Sequence, residues 1–421
     1  MIISSPSRGR SRIAPGAAIG VLAVLLALGG CNVGGTSQDQ QQPQGQQPSQ
    51  AATPTADQLG ARDPAPGQQA AQDIPDPEAR PVMQAQVVLD RLGFTPGVVD
   101  GKAGLSTKNA ILGFQEANGI DQSGEMDDAT KAKLAQWQNI PATRVVTIPD
   151  AFAAGPFYAV PAKAEDQAKM QALGYSSLDE KLAERFHTTI ATLKALNPNG
   201  MPAGASGPAT ASPSASTTPA PTPTPSAVAS SGDFVPQPGP PSYFRAGQQI
   251  RVPNVGADQM AAGSVDDAQW AATLTMLGVG SDQPKVDKIV VSKSKGWLKG
   301  YDASGKLVAM YTATMGSTHD PLPLGTWKVN GIARNTPFNY NPALFWDAKP
   351  GDKEAKLPPG PNGPVGVVWI DLSKEHYGIH GTPSPETIGR AESHGCVRLT
   401  NWDAARLAQM VKAGTQVLFE A

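Results

Sequence analysis

Residues His380–Leu399 read HGTPSPETIGRAESHGCVRL. Two of the chain's five histidines, His380 and His394, and one of its two cysteines, Cys396, fall in this single stretch. A thiol attacks as the thiolate, and a nearby imidazole is the usual group that lowers its pKa or takes its proton. Both histidines are within sequence reach of Cys396. Gly395 removes a side chain where a substrate carbonyl must approach, and it permits a tight turn that aims backbone N–H groups at a developing oxyanion. If CVRL is a strand, its period of two puts Arg398 on the same side as Cys396, and a fixed cation beside a nucleophile points to an anionic substrate. Singly, a cysteine is more often a small buried apolar residue and a histidine a structural hydrogen-bonding group. Their convergence reverses that reading. A zinc set from His376, His380 and His394 is the competing chemistry.

The segments His380-Gly381-Thr382, Gly389 and Ser393-His394-Gly395-Cys396-Val397-Arg398-Leu399, followed by Asn401, Asp403 and Leu407, resemble the signature of the L,D-transpeptidases with YkuD-like domains. Leu399 stands where many members carry Met. The resemblance implies a thiol enzyme without metal or cofactor that acts on bacterial peptidoglycan. Cys396 would be the nucleophile, His380 the general base with its tautomer held by the Gly381 carbonyl, and His394 the second imidazole. Backbone N–H groups near Gly395 and Cys396 would stabilise the oxyanion, and Arg398 and Ser393 would contact substrate. The implied reaction releases D-Ala from a tetrapeptide donor stem and forms a 3→3 cross-link through a thioester. A carboxypeptidase or peptide hydrolase of the same fold and a non-catalytic wall-binding scaffold are the rival readings.

A chain of 421 residues exceeds one compact core, so two or three domains are expected. Arg8, Arg10 and Arg12 precede an apolar run, Ala17 to Leu28, that is short for a membrane span. Leu28-Gly29-Gly30-Cys31 then resembles a lipobox. It implies that residues 1–31 are a lipoprotein signal peptide, that Cys31 carries the lipid anchoring the protein to a membrane, and that the protein is exported to the cell envelope or periplasm. Cys396 would then have no disulfide partner, and catalysis gives a lone exported thiol its reason. Residues 32–78 are rich in Gln and Pro and poor in large apolar residues, which predicts a disordered tether.

Helical periodicity returns over residues 79–140. Ala85, Val88, Leu89 and Leu92 share one face, Ser106 is a candidate cap for a second helix, and Asp127 for a third. With Asp100-Gly101, Gly104, Thr107, Ala110, Phe114-Gln115 and Gly119, this unit resembles a three-helix peptidoglycan-binding domain. Over 150–255, LAERFHTTIATLKALNPN and FRAGQQIRVPN resemble parts of a LysM module, a glycan-binding βααβ unit. Its opening strand is expected at 157–160, and a disordered Pro/Ala/Ser/Thr insert at 200–242 interrupts it. His187 reads as structural or exposed, and His319 as a residue near the cleft. From 284 to 421, short β-branched and aromatic runs separated by Gly, Asp and Ser predict a mostly-β sandwich with one helix. That segment is expected to fold alone. A net charge of −2 and the lack of a basic run argue against nucleic acid as a partner.

Overall fold

The computed structural model describes residues 74–205, 234–256, 260–261 and 263–421. The expected signal peptide, Cys31, the tether as far as residue 73 and the centre of the Pro/Ala/Ser/Thr insert lie outside the described residues.

Helix α1 (Pro81–Arg91) starts on a proline, whose missing N–H would have no intrahelical partner there, and it buries Met83, Val87, Val88 and Leu89. After β1 (Phe94–Thr95), α2 (Leu105–Ala117) begins on Gly104 without a side-chain cap. Ser106 therefore lies within the helix and does not cap it, a correction to the expected start. Asp127 does cap α3 (Asp128–Leu134), accepting from the Thr130 N–H. Phe114 meets Trp137 edge to face at 6.1 Å in a core that continues to Trp297, Leu307 and Met310 of the C-terminal strands.

The middle module is closed by β2 (Thr143–Thr147) and β3 (Gln249–Pro253), paired antiparallel with Val145 opposite Arg251. Between them run α4 (Asp150–Ala153), α5 (Ala164–Gln167), α6 (Leu178–Arg185) and α7 (Ile190–Leu196). Ser177 and Thr189 cap α6 and α7 through their hydroxyls. The strand expected at 157–160 is not the opening one: its Tyr158 makes only a single bridge, to Pro238. Val146 and Ile148 supply the apolar side chains that pack on Leu182, Leu193 and Ile250, so burial selects the earlier segment. Two expected boundaries also move. The carbonyls of Ile74 and Pro75 accept from Arg251, and Asp76 accepts from Thr143, so residues 74–78 belong to the fold and not to the tether. The insert is narrower than 200–242, because Ala203 accepts from Arg251 and Gln237 from the Ala159 N–H.

The C-terminal part begins with α8 (Ala268–Leu277), whose Trp270, Leu274 and Leu277 lie in the same core as the strands that follow. The packed unit therefore starts ahead of residue 284. Its strands are β4 (Lys288–Ser292), β5 (Trp297–Tyr301), β6 (Leu307–Thr312), β7 (Thr314–Met315), β8 (Gly325–Arg334), β9 (Phe338–Tyr340), β10 (Ala355–Leu357), β11 (Val368–Leu372), β12 (Gly378–His380) and β13 (Val397–Arg398). Helix α9 (Asn401–Met410) and β14 (Gln416–Glu420) complete the chain, while β9 and β10 form their own hairpin. The main ladder runs β1-β6-β5-β4-β14-β8-β11-β12-β13-β7. The long strand β8 changes partner along its length, pairing first with β14 and then with β11. Residues from both halves, such as Ile289 and Leu298 with Ile370 and Val397, meet in one core.

This part does not stand apart from what precedes it. Strand β1 joins the edge of the ladder, parallel to β6, with Phe94 opposite Met310. At the junction, the fully buried Asp90 carboxylate of α1 accepts both guanidinium arms of Arg406 from α9, at 3.0 and 3.1 Å. It also meets His187 Nδ1 at 3.2 Å. Burial opposes the charge on Asp90, yet Arg406 and His187 hold its carboxyl well below the usual carboxylate range. The His187 ring stacks on Trp402 at 4.9 Å, and its Nε2 contacts the Leu277 carbonyl at 3.0 Å. A buried ion pair must keep both partners. The expectation that residues 284–421 fold alone therefore conflicts with the packing.

Candidate active site

Strand β12 lies parallel to β13, with Ile379 opposite Val397 and His380 opposite Arg398. Parallel neighbours need a crossover, and residues 381–396 supply it. This loop returns Cys396 to the start of β13, beside the strand that carries His380. Gly395 in the turn has φ +91°, and a Cβ there would come within 2.5 Å of the Tyr377 ring, so only glycine fits.

His380 is buried, and its Nδ1 donates to the Gly381 carbonyl at 2.7 Å, which leaves the Nε2 lone pair as the free acceptor. The ring stacks on Trp369 at 5.4 Å. Burial, with the Arg398 charge adding to it, pushes the pKa of His380 down to about 3, although the Gly381 carbonyl acts the other way. Burial likewise pushes the Cys396 thiol up to about 11, against a backbone hydrogen bond from Gly378 and the charge of Arg398. The thiol donates weakly to the His376 carbonyl at 3.7 Å. The resting pair is thus a neutral thiol and a neutral imidazole, where the sequence suggested an imidazole that lowers the thiol's pKa. Such a base can accept the sulfur's proton as the S–C bond forms, without a standing ion pair.

His394 turns toward the segment between β9 and β10. Its Nε2 meets Asp347 at 2.7 Å, and its ring packs against Phe345 and Trp346 at 4.9 and 5.5 Å. His394 Nδ1 is buried without a hydrogen-bond partner. Arg398 is half-buried, donates to the Glu392 carbonyl at 3.4 Å and adds positive potential at both Cys396 and His380. Ser393 needs correction as a substrate contact. Its hydroxyl is spent inside the protein, donating to the Cys396 carbonyl at 2.7 Å and accepting from the Gly316 N–H at 2.6 Å, so it clasps the Cys396 loop to the end of β7. His319 stacks on Trp346, and His376, at φ +66°, faces Glu375. Among the described residues no three His, Cys, Asp or Glu side chains converge as a metal-ligand group.

Sequence reasoning missed Tyr377, Trp369 and Asp347, and gave Asn401 no task. An isolated aromatic or acidic residue carries no local signal; only the tertiary fold brings these side chains to the site, Trp369 from β11, Tyr377 from the turn before β12 and Asp347 from the segment between β9 and β10. Away from this site, a concavity of about 870 Å³ lies among α1, α2 and α3, lined by Ala85, Val88, Ile111, Leu134 and Trp137 with Lys108 and Lys131.

The sequence of residues 287–418 matches the pattern of the YkuD family, described as the L,D-transpeptidase catalytic domain. Residues 287–418 belong to that family. Residues 78–134 match a family described as "Putative peptidoglycan binding domain". The chain is 54% identical over 59 residues to the "Putative L,D-transpeptidase YkuD" of Bacillus licheniformis, covering 14% of this chain and 36% of that protein. It is 30% identical over 119 residues to the "Putative L,D-transpeptidase YqjB" of Bacillus subtilis, covering 27% and 60%. The match thus spans less than two thirds of either relative. Among solved structures, an L,D-transpeptidase from Mycobacterium smegmatis aligns with 32% of this chain and 58% of its own at 19% identity, with a TM-score of 0.27. The L,D-transpeptidase domain accordingly contains the Cys396 and His380 site and is preceded in the chain by a peptidoglycan-binding domain.

Proposed function

We propose that this protein is a cysteine-dependent L,D-transpeptidase that forms 3→3 cross-links in peptidoglycan. One observation carries the reading: His380 presents a neutral Nε2, its tautomer held at Nδ1 by the Gly381 carbonyl, on the strand beside Cys396. Cys396 Sγ attacks the carbonyl of the third residue of a donor tetrapeptide while His380 Nε2 takes the thiol proton. Backbone N–H groups of the Gly395-Cys396 turn support the oxyanion. Collapse breaks the peptide bond to the terminal D-Ala, whose nitrogen leaves with the proton from His380, and a thioester remains. The amine of a neighbouring stem attacks the thioester, His380 again carries the proton, and Cys396 is released. Arg398 attracts the anionic donor. His394, braced by Asp347, shapes the wall of the site.

The lipobox supports anchoring through Cys31 in the cell envelope. The βααβ order of β2, α6, α7 and β3 supports the LysM-like reading, with glycan as its ligand. Among the described residues no helix is long and apolar enough to cross a membrane. Mass spectrometry of muropeptides incubated with the protein tests the reading. Free D-Ala and a dimer joined between two third residues are expected in the presence of an acceptor stem. Tripeptide alone, with no dimer at any acceptor concentration, would make it a carboxypeptidase instead.

A further inference from the structure

We infer that the middle module positions the catalytic base: Glu184 of α6 holds Asn401, and Asn401 holds the Gly381 backbone whose carbonyl fixes the His380 ring. The inference rests on the reading of His380 as the base. A glycine has the widest backbone freedom of any residue, so a carbonyl acceptor on Gly381 needs something outside the strand to keep its peptide plane still. Asn401, the first residue of α9, is that contact. It is fully buried, and its Oδ1 accepts from the Val367 N–H at 3.3 Å. The same oxygen presses on two glycines: a Cβ on Gly381 would fall 2.1 Å from it, and one on Gly366 1.9 Å. Side chains are excluded at both positions because the Asn401 amide occupies their space.

What orients Asn401 comes from more than 200 positions earlier in the chain. Its Nδ2 donates to Glu184 Oε1 at 2.8 Å and to the Pro361 carbonyl at 3.2 Å. Glu184 Oε2 in turn meets the Tyr175 hydroxyl at 2.8 Å, and both side chains are buried. The surrounding backbone is fastened as well. The Leu173 N–H donates to the Pro359 carbonyl at 2.9 Å, the Leu173 carbonyl accepts from Asn362 at 2.9 Å, and Asn362 Nδ2 donates to the Gly174 carbonyl at 3.0 Å. Residues 173–184 therefore grip the loop that leads into β11, and the β11 carbonyl of Val368 accepts from the Gly381 N–H at 3.4 Å. Burial, which outweighs the hydrogen bonds from Tyr175 and Asn401, pushes the Glu184 carboxyl up to about 8, with Glu180 and Glu386 adding to the rise. A neutral acid at this place has the shape and hydrogen-bonding groups of a glutamine. Glu184 and Asn401 are positioning residues, since neither touches the reacting atoms.

The test compares Glu184→Leu, which fills the space but removes the acceptor, with Glu184→Gln, which keeps it, in the full-length chain. D-Ala release from a tetrapeptide donor and alkylation of Cys396 by iodoacetamide are both followed against pH. Glu184→Leu is expected to lower kcat for D-Ala release on the order of 10- to 100-fold, the usual cost of a small misplacement of a reacting group, with KM within about 3-fold. Glu184→Gln is expected to restore kcat to within about 3-fold of the parent. Should Glu184→Leu not fold, Tyr175→Phe replaces it, with a loss of about 3- to 10-fold in kcat and KM again retained. A folded Glu184→Leu or Tyr175→Phe with the parent's kcat and pH profile overturns the relay, and so does a Glu184→Gln as impaired as Glu184→Leu. Failure of the parent itself to release D-Ala would instead refute the transpeptidase reading. In that case the iodoacetamide profiles decide the relay: a parent and Glu184→Leu that alkylate alike at every pH refute it, and profiles that separate support it.

Discussion

At the scale of single residues, burial around Cys396 and His380 governs their resting protonation. A cysteine activated in advance would show a depressed pKa, but here burial dominates the thiol and the imidazole alike and keeps both neutral at rest. Alkylation of Cys396 by iodoacetamide is accordingly expected to be slow near pH 7 and to go on rising above pH 9, since burial pushes the thiol up to about 11. A rate that levels off by pH 7 would reveal a thiolate–imidazolium pair and contradict the neutral resting state. Replacing the nucleophile separates chemistry from fold. Cys396→Ser barely changes volume yet removes an ionisable thiol, so D-Ala release should fall on the order of 10³-fold or more with an unchanged circular dichroism spectrum. Release within a few-fold of the parent would exclude the thioester.

At the scale of elements, the start of α9 carries more than helix formation asks of it. Thr400 caps the helix through the Asp403 N–H, Asn401 reaches Glu184, and the buried Asp403 carboxyl is pushed up to about 6 by burial. Glu184 rises further, to about 8 from an ordinary 4.5, again through burial. Between those two values the folded protein holds a proton on Glu184 that the unfolded chain has released. Stability therefore falls as pH rises through this window and levels off above about 8. The thermal midpoint should drop between pH 5 and 8, and Glu184→Gln should flatten the upper part of that fall, because glutamine does not titrate. A parallel slope in both proteins would place the proton elsewhere.

At the scale of the whole molecule, the three-helix part and the C-terminal part share an interior. A fragment beginning at residue 284 would lose β1 from the ladder edge, α8 from the core and Asp90 from Arg406. Breaking one buried ion pair alone costs about 3–5 kcal/mol, a large share of the stability of an ordinary domain. That fragment is expected to lose its cooperative thermal transition, whereas a chain starting at residue 74 keeps it; equal midpoints would show the parts to be independent. The groove among α1, α2 and α3 tests targeting separately from chemistry. Ala85→Glu puts a bulky anion in the groove and should weaken retention on insoluble sacculi while leaving D-Ala release from a soluble donor unchanged. Undiminished retention would move the wall-binding surface elsewhere.

What the sequence determined by itself was whatever is encoded locally. The histidine, glycine and cysteine spacing of 380–399 pointed to the catalytic family, and among the runs beyond residue 284 the β-branched KIVVS of 288–292 and the aromatic-flanked WLKGY of 297–301 coincide with β4 and β5. Asp127 marked its helix start because a cap is a contact between residues three positions apart. Only the tertiary structure decided the rest. The opening strand of the middle module is Thr143–Thr147 because long-range burial against α6, α7 and β3 outweighed an equally plausible local run. The pKa values of Cys396 and His380 were hidden because desolvation depends on every segment that covers them. Glu184 was invisible as a partner of the active site for the same reason. Its contact with Asn401 spans two domains, and no periodicity or motif within either one records it.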